Sequence, residues 1–183
     1  AKPLARYVHR EGSEGANGLE ESIQGITGGV QVELREDLWG GVAIGYEDRE
    51  SSSEHGAASE SGWTHGGGIL KTRIGNWQLA GILDGGYGIV DMSRLIDIPG
   101  LPLVAKGSQD IAFGSARTRI AYGFDFGHWY AKPLVEFGAS YEKAFGFEET
   151  GASDFDLVYD TRSKWTFSAA PALELGAVLT AGD

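Results

Sequence analysis

The sequence contains no cysteine, so disulfide bonds, thiolate catalysis and cysteine-ligated zinc or iron–sulfur sites are excluded. It also contains no apolar run that approaches the roughly 20 residues of a membrane-spanning helix. The first residues, AKPLARYVHREG, lack the hydrophobic core of a signal peptide, and we expect either that a signal was removed or that the chain is cut from a longer one. A membrane location would therefore depend on strands, in which only every second residue needs to be apolar.

Basic residues are scarce, with 15 Lys and Arg against 26 Asp and Glu and a formal net charge of −11. Proteins that bind nucleic acid present a basic patch or stripe to the phosphates. The sequence therefore predicts no nucleic-acid partner.

Glycine, in contrast, is abundant: the 29 glycines are about twice the roughly 7% found in average proteins. Disorder often accompanies such a content, but the 42% of hydrophobic and 11% of aromatic residues oppose it. Glycines spread through alternating segments indicate tightly curved strands.

Hydrophobicity alternates with a period of two along residues 77–89, WQLAGILDGGYGI. Trp77, Leu83 and Tyr87 fall on one side and Asp84 on the other, because successive side chains of a strand point to opposite faces. A soluble barrel would bury the apolar face, whereas a membrane barrel would turn it to lipid. The same pattern, with no helical periodicity of useful length, predicts eight strands, at residues 4–10, 26–35, 40–46, 63–74, 77–89, 111–126, 131–141 and 165–175.

The connections between these strands alternate between short and long. The short ones are residues 36–38, 75–76 and 127–128, and the long ones are residues 11–24, 47–61, 91–110 and 142–162. Long loops without regular structure are uncommon inside compact soluble domains. Short turns at one end and long polar loops at the other are typical of an outer-membrane barrel.

The charged and aromatic residues of the strands fall into two sets. Ten charged residues lie opposite the apolar stripe and are predicted to line a polar lumen: Glu33, Arg35, Lys71, Arg73, Asp84, Arg117, Arg119, Lys132, Glu136 and Glu174. Eight aromatic residues near strand ends are predicted to form a lipid-facing girdle: Tyr46, Trp77, Tyr87, Tyr122, Phe124, Phe126, Tyr141 and Trp165. Trp63 and Trp129 are assigned to the same apolar face. Aromatics at strand ends suit membrane interfaces, whereas a soluble core would hold its bulk in the middle.

Short-turn pairs such as GGVQVELREDLWGGVAIGYED and LVEFGASYEKAF, together with WYAKPLVEFGASYE, resemble the translocator β-barrel of classical autotransporters (type V secretion). The resemblance is one of pattern and covers nearly the whole chain. Barrels of that family have twelve strands, follow a helix that threads the pore, and usually end on an aromatic residue recognised by the barrel-assembly machinery. Here eight strands are visible, no pore helix precedes Arg6, and the chain stops at VLTAGD. We therefore expect an all-β, antiparallel up-and-down transmembrane β-barrel, with residues 1–183 as one domain, part of a twelve-stranded barrel and incomplete at both termini.

The resemblance implies a protein of the bacterial outer membrane, with loops at the cell surface and turns in the periplasm. It implies that the barrel anchors and helps export an N-terminal passenger. The implied partners are outer-membrane lipid and lipopolysaccharide, the covalently linked passenger and the barrel-assembly machinery. Two alternatives stay open: a complete eight-stranded outer-membrane barrel that acts in adhesion or binding through its loops, and a soluble β-barrel that binds a small ligand.

No residue is predicted to perform covalent chemistry, so we expect neither enzyme activity nor a metal or cofactor. The four histidines lack metal-ligand spacing. The sequence SSSEH, residues 51–55, holds the residue types of a catalytic triad without a rigid scaffold to orient them. Glu33 and Glu136 are interpreted as parts of an ion-paired lumen wall rather than as glycosidase carboxylates.

Two loop features stand out. The acidic loops, which include Glu20, Glu47, Asp48 and Glu149, offer carboxylates that would bridge divalent cations to lipopolysaccharide, although simple solvation also explains them. The segment LIDIPGLPLV, residues 95–104, is apolar where water is expected. It would fold over the barrel mouth, contact the passenger or turn back along the wall.

Overall fold

A computed structural model describes residues 2–10, 18–53 and 56–177, and most of them lie in β-strands. The strands are β1 (Lys2–Arg10), β2 (Leu19–Arg35), β3 (Leu38–Ser53), β4 (Ala57–Ile74), β5 (Trp77–Ile96), β6 (Leu103–Tyr122), β7 (Phe124–Asp125), β8 (Trp129–Ala144), β9 (Phe147–Glu148), β10 (Val158–Tyr159) and β11 (Arg162–Ala177). One 3₁₀ turn, Ser153–Phe155, lies between β9 and β10. In this described part of the chain, no helix is long and apolar enough to span a membrane.

The long strands form one antiparallel meander. Their order in the sheet is β1-β2-β3-β4-β5-β6-β8-β11, and β7 pairs with β8 beside the end of β6. Strands β9 and β10 form a separate small hairpin. Neighbours in the sequence are therefore neighbours in the sheet, and the predicted up-and-down antiparallel architecture is confirmed. Strands β1 and β11 are the edges of the sheet that the structure describes.

Tight turns close one end of the sheet, where the short connections were predicted. The turn between β2 and β3 has Asp37 at a φ of 60°, and the turn between β4 and β5 has Gly75 at a φ of 58°. Left-handed backbone of this kind matches the twist of a hairpin. The last of these turns has Gly127 at a φ of 85°, and its N–H donates to the Asp125 carboxylate at 2.8 Å. The short connections predicted from the sequence are therefore confirmed as tight turns at this end of the sheet.

The opposite end differs from the sequence prediction. Residues 47–53 and 57–61 belong to β3 and β4, and most of residues 91–110 belong to β5 and β6, so the predicted long loops there are wrong. These stretches carry polar residues on both faces, so the alternation that marks a strand disappears although the hydrogen-bonded ladder continues. Residues 145–161, between β8 and β11, remain a long connection. Of the first predicted loop, residues 19–24 belong to β2; residues 11–17, Glu54, His55 and the segment VLTAGD lie outside the described residues.

The sheet has almost no protein core. Among the described residues, only four hydrophobic side chains are buried: Ile23, Ala105, Ala121 and Ala152. Large apolar side chains lie open instead, with Leu83 67% and Phe167 74% exposed. An apolar surface of this extent is unfavourable in water and marks a contact with a partner or a membrane. Strand pairing holds the sheet together, and its apolar face remains available to a non-aqueous surrounding.

Candidate functional site

One face of the sheet carries a continuous apolar surface, which we call the apolar belt. The cross-strand register places it at residues 38–46 of β3, 77–89 of β5, 131–141 of β8 and 165–175 of β11. Beyond these residues, the next side chains on the same face are polar or charged, among them Asp48, Asp91 and Lys143. A tilted strand crosses a bilayer in about 9–11 residues. The belt therefore has the height of a hydrocarbon layer.

Aromatic rings border the belt near the tight turns. Trp77 packs against Tyr122 with ring centroids 4.9 Å apart, and Tyr122 packs against Phe124 at 4.7 Å. Phe126 stacks on Trp129 at 4.0 Å. Five rings from neighbouring strands and the turn thus form one row, and all four girdle residues predicted at this end are in it.

A second group of rings borders the belt on the far side. Tyr46 of β3 and Tyr87 of β5 both pair with Thr64 of β4, the strand between them. Tyr141 packs against Trp165 with ring centroids 4.9 Å apart. The Tyr46 hydroxyl donates to Asp48 at 2.7 Å, so its polar end turns away from the belt. An apolar ring with a wet hydroxyl is the arrangement favoured at a membrane interface.

The other face of the sheet is concave and charged. Trp39 of β3 and Glu174 of β11 line one cavity of about 520 Å³, although the two strands are five steps apart in the sheet, roughly 24 Å if it were flat at about 4.8 Å a step. Between them the cavity includes Lys71, Arg73 and Arg119. The register places nine of the ten predicted lumen residues on this face: Glu33, Lys71, Arg73, Asp84, Arg117, Arg119, Lys132, Glu136 and Glu174.

Arg35 departs from this arrangement. The register shifts between Glu33 and Arg35, and Arg35 pairs with Leu38, which belongs to the belt. A β-bulge inserts one extra residue and breaks the alternation of faces. The prediction for Arg35 assumed an uninterrupted strand.

Charges on the concave face are paired across neighbouring strands. Arg119 donates to Glu136 from Nε at 3.0 Å and from Nη2 at 2.7 Å. Glu174 accepts from Lys132 at 2.6 Å and from the Tyr130 hydroxyl at 2.8 Å. Because positive and negative side chains are paired, the wall is polar but does not create a large electrostatic potential of one sign.

Asp84, the carboxylate in the middle of β5, has two neighbours on β6. The Ser115 hydroxyl donates to it at 2.6 Å, and the Arg117 guanidinium lies 3.7 Å away. The register places Asp84 on the concave face, and its neighbours there are a hydroxyl and a guanidinium.

Trp63 lies on the concave face, so its assignment to the apolar face is wrong. It lies opposite Glu47 and Gly88, and its ring covers Gly88, where an added Cβ would come within 2.5 Å of the indole. Phe113 lies over Gly86 in the same way and approaches Trp63 at 6.1 Å. Trp63 and Lys71 are both odd-numbered residues of β4, so their side chains share a face. This parity, visible in the sequence, would have placed Trp63 on the concave face.

Residues 145–161, which we call the strap, leave the end of β8 and return to β11 on the side away from the turns. Arg94 of β5 donates to Glu149 of the strap from Nε and Nη2. This guanidinium, together with the N–H of Leu157, lowers the pKa of Glu149 below its usual value, although burial acts against the shift. Hydrogen bonding to Glu149 in turn raises the pKa of Arg94. The pair lies beyond the belt.

No metal-binding arrangement is present in the part of the chain that the structure describes, where no three His, Asp or Glu side chains cluster suitably. His9 lies 3.2 Å from Glu20 on the belt side of the sheet, and His65 lies on the concave face. The possible triad in SSSEH falls partly on His55, outside the described residues.

Comparison with known proteins decides the family. The Autotransporter beta-domain family matches residues 1–183. The chain belongs to the autotransporter β-domain family. The resemblance predicted from the sequence is therefore confirmed, and this β-domain lies in the bacterial outer membrane.

One solved structure shows the same fold. The translocator domain of autotransporter NalP from Neisseria meningitidis is similar to this β-domain with a TM-score of 0.73 and 15% identity, over 92% of this chain and 58% of that chain. The β-domain of the Bordetella autotransporter BrkA matches at 12% identity with a TM-score of 0.31, over 94% of each chain. A search of curated proteins found no match. The chain spans 58% of the length of the NalP translocator, and the likeness to it shows the fold.

Proposed function

We propose that this β-domain anchors an N-terminal, covalently linked passenger in the outer membrane and helps to export it past the concave face. The single observation that carries the proposal is the two-sided sheet: an exposed apolar belt between two rows of aromatics, backed by a concave, charged wall. The domain of residues 1–183 acts here as one wall, with the tight turns in the periplasm and the far end of the sheet at the cell surface.

The anchoring role rests on the chemistry of the belt. Ile44, Leu83 and Leu173 all project from it with more than half of their surface exposed. Contact with lipid removes that surface from water, and the hydrogen-bonded ladder satisfies the backbone of the paired strands inside the bilayer. Asp48 and Asp91, the first carboxylates beyond the belt, mark where the lipid headgroups begin.

The export role rests on the concave face. A chain in transit is unfolded and exposes backbone donors and acceptors that need polar surroundings. The wall offers carboxylates, guanidiniums and hydroxyls that are already paired with one another, among them Arg119 with Glu136 and Ser115 with Asp84. Such a surface solvates many sequences without binding one tightly. No covalent step is needed, and we propose no enzyme activity, metal or cofactor.

Two further partners belong to this proposal. Asp48, Glu50, Glu60 and Asp91 lie on the belt side just beyond the aromatic row. We expect lipopolysaccharide headgroups at this height. Divalent cations would bridge these carboxylates to lipopolysaccharide phosphates. The family membership implies the second partner, the barrel-assembly machinery, which would insert the sheet so that its edges do not remain unpaired in lipid.

The test uses the full-length gene with its own passenger, expressed in a bacterium with an outer membrane. Protease added to intact cells should degrade the passenger while leaving the β-domain in the membrane fraction. The matched control is the same gene with the β-domain deleted, whose passenger should stay protected inside the cell. A passenger that is equally protected with and without the β-domain would contradict the export role, and a β-domain recovered in the aqueous fraction would contradict the anchoring role.

A further inference from the structure

The strap crosses the concave face rather than standing beside it. Glu149 and Tyr159 of the strap line a cavity of about 260 Å³ together with Ser51 of β3 and Ala57 of β4. The strap leaves the sheet at β8, four strand steps from β3, which is roughly 19 Å at about 4.8 Å a step. Arg94 and Ser51 have the parity of the concave face. The strap therefore extends over the far mouth of the concave surface.

Its first limb is seated on β6. Phe147 lies over Gly107, whose missing side chain leaves the room that the ring fills. Thr150 and Lys106 exchange backbone hydrogen bonds of 2.8 and 2.9 Å. Ala105 beneath the strap is only 1% exposed. This limb continues the sheet inward and acts as the hinge side.

Its second limb pairs with the first limb through β9 and β10 and contacts β5 through one side chain, Arg94. Arg94 donates to both carboxylate oxygens of Glu149 and also to the Phe155 carbonyl oxygen at 3.3 Å. Glu149 in turn accepts the N–H of Leu157 at 3.1 Å and is only 9% exposed. Both limbs thus meet at a single ion pair, which we call the latch.

The backbone between the limbs is held in an unfavourable conformation. Ser153 has a φ of 53°, in the left-handed region that residues with a Cβ rarely adopt. Phe155 and Val158, on either side of the latch, expose 49% and 72% of their surface. Apart from Ala152, which is fully buried, and Tyr159, which stacks on Phe147 at 4.5 Å, this part buries little apolar surface, and the latch is the ion pair that joins it to β5.

We propose that the strap is a lid on the surface-facing mouth of the barrel, closed by the Arg94–Glu149 latch and opened when the latch breaks. The proposal rests on the proposed function, in which the concave face is the passage for the passenger. In the closed state the strap narrows the passage, and in the open state it swings on the hinge side at β6. The lid would limit leakage of small solutes when no chain is in transit.

The test measures ion conductance of the purified full-length protein in planar lipid bilayers in potassium chloride. Glu149→Gln keeps the size of the side chain and removes its charge, and we expect it to raise the frequency of open events about tenfold, the effect of losing one strong charged hydrogen bond. The matched control is Glu148→Gln, the exposed neighbour in β9 that does not contact Arg94. Arg94→Glu should act like Glu149→Gln, and the double swap Arg94→Glu with Glu149→Arg should return the frequency toward that of the unaltered protein.

A second measurement uses chymotrypsin on intact cells. An open strap presents Phe155 to the protease, so Glu149→Gln should be cut faster there than Glu148→Gln. Equal conductance and equal cleavage in the two variants would overturn the lid. Loss of the folded barrel in Glu149→Gln, seen as loss of its heat-dependent shift on gels, would also overturn it, because the strap would then be part of the fold. These measurements need no exported passenger, so failure of the export role would be seen separately.

Discussion

The sheet has two regions, the apolar belt and the part beyond it, which we call the rim. Both belong to one hydrogen-bonded backbone ladder, but the polarity of their side chains differs. In the belt, apolar and polar residues alternate, as in Trp77, Leu83 and Asp84 of β5. In the rim, residues 48–53, 57–62, 91–96 and 103–110, both faces are largely polar, with Glu50 and Glu60 opposite each other on the outer side. The backbone pairing does not depend on the pattern. The pattern instead distinguishes the two regions: the belt has one apolar and one polar face, and the rim has polar residues on both faces.

The largest expected effect comes from placing a charge in the belt. Leu83→Arg should prevent stable assembly, because a cationic side chain at the middle of the lipid face costs about 2–4 kcal/mol. Ser93→Arg places the same charge on the same face of the same strand, in the rim, and should leave assembly nearly unchanged. The folded fraction is measured by the heat-dependent gel shift of membrane fractions. Similar loss in both variants would remove the distinction between belt and rim.

A smaller effect is expected from filling a glycine on the concave side of the belt. Gly88→Ala places a Cβ within 2.5–2.8 Å of the Trp63 indole, and overpacking of this kind costs about 1–3 kcal/mol. Gly81→Ala, on the outer face of the same strand, meets nothing within 4 Å and serves as the control. Urea unfolding of the refolded full-length protein in detergent measures both. Recovery of stability in Gly88→Ala combined with Trp63→Ala would assign the loss to this contact.

Acid should loosen the strap, which contacts the rim through Arg94, while the belt stays assembled. The folded-state pKa of Glu149 is lowered, so the stability it contributes is present above the ordinary carboxyl pKa of about 4.3 and is lost as the pH falls through the lowered value. Protease cleavage at Phe155 should therefore increase as the pH falls below about 4, measured with an acid-active protease. The same titration on Glu149→Gln should be flat in this range. A pH dependence that survives in that variant would contradict the role of Glu149.

The smallest effect is expected on the concave side of the belt itself. Asp84→Asn keeps an acceptor for the Ser115 hydroxyl and loses only the negative charge. The Arg117 guanidinium lies 3.7 Å from that charge, and its side chain is about half exposed. Exposed ion pairs contribute about 0–1 kcal/mol. Urea unfolding should shift by no more than that. A loss comparable to that of Leu83→Arg would mean that Asp84 does not face water.

The sequence predicted the belt well and the rim poorly, for one physical reason. Alternation, turn residues such as Gly75 and Gly127, and the parity of charged residues are local signals. They located the strands of the belt and placed nine of the ten predicted lumen residues on the concave face. Arg35 was assigned to the wrong face because a β-bulge leaves no clear local pattern in the sequence. Strand continuation in the rim was missed because polar residues on both faces look the same in a strand and in a loop. The strap and its latch depend on Arg94 and Glu149, far apart in the chain, and only the folded sheet brings them together.

The length of the rim has a consequence for what other molecules can reach. From residue 91 to the hairpin near Gly100, the β5–β6 pair extends beyond the belt by roughly 20 Å, given about 3.3 Å per residue and a tilt of about 40°. Antibodies and phages approaching the cell would therefore meet the tips first, and sequence change at residues 97–102 would alter immune recognition without disturbing the wall below.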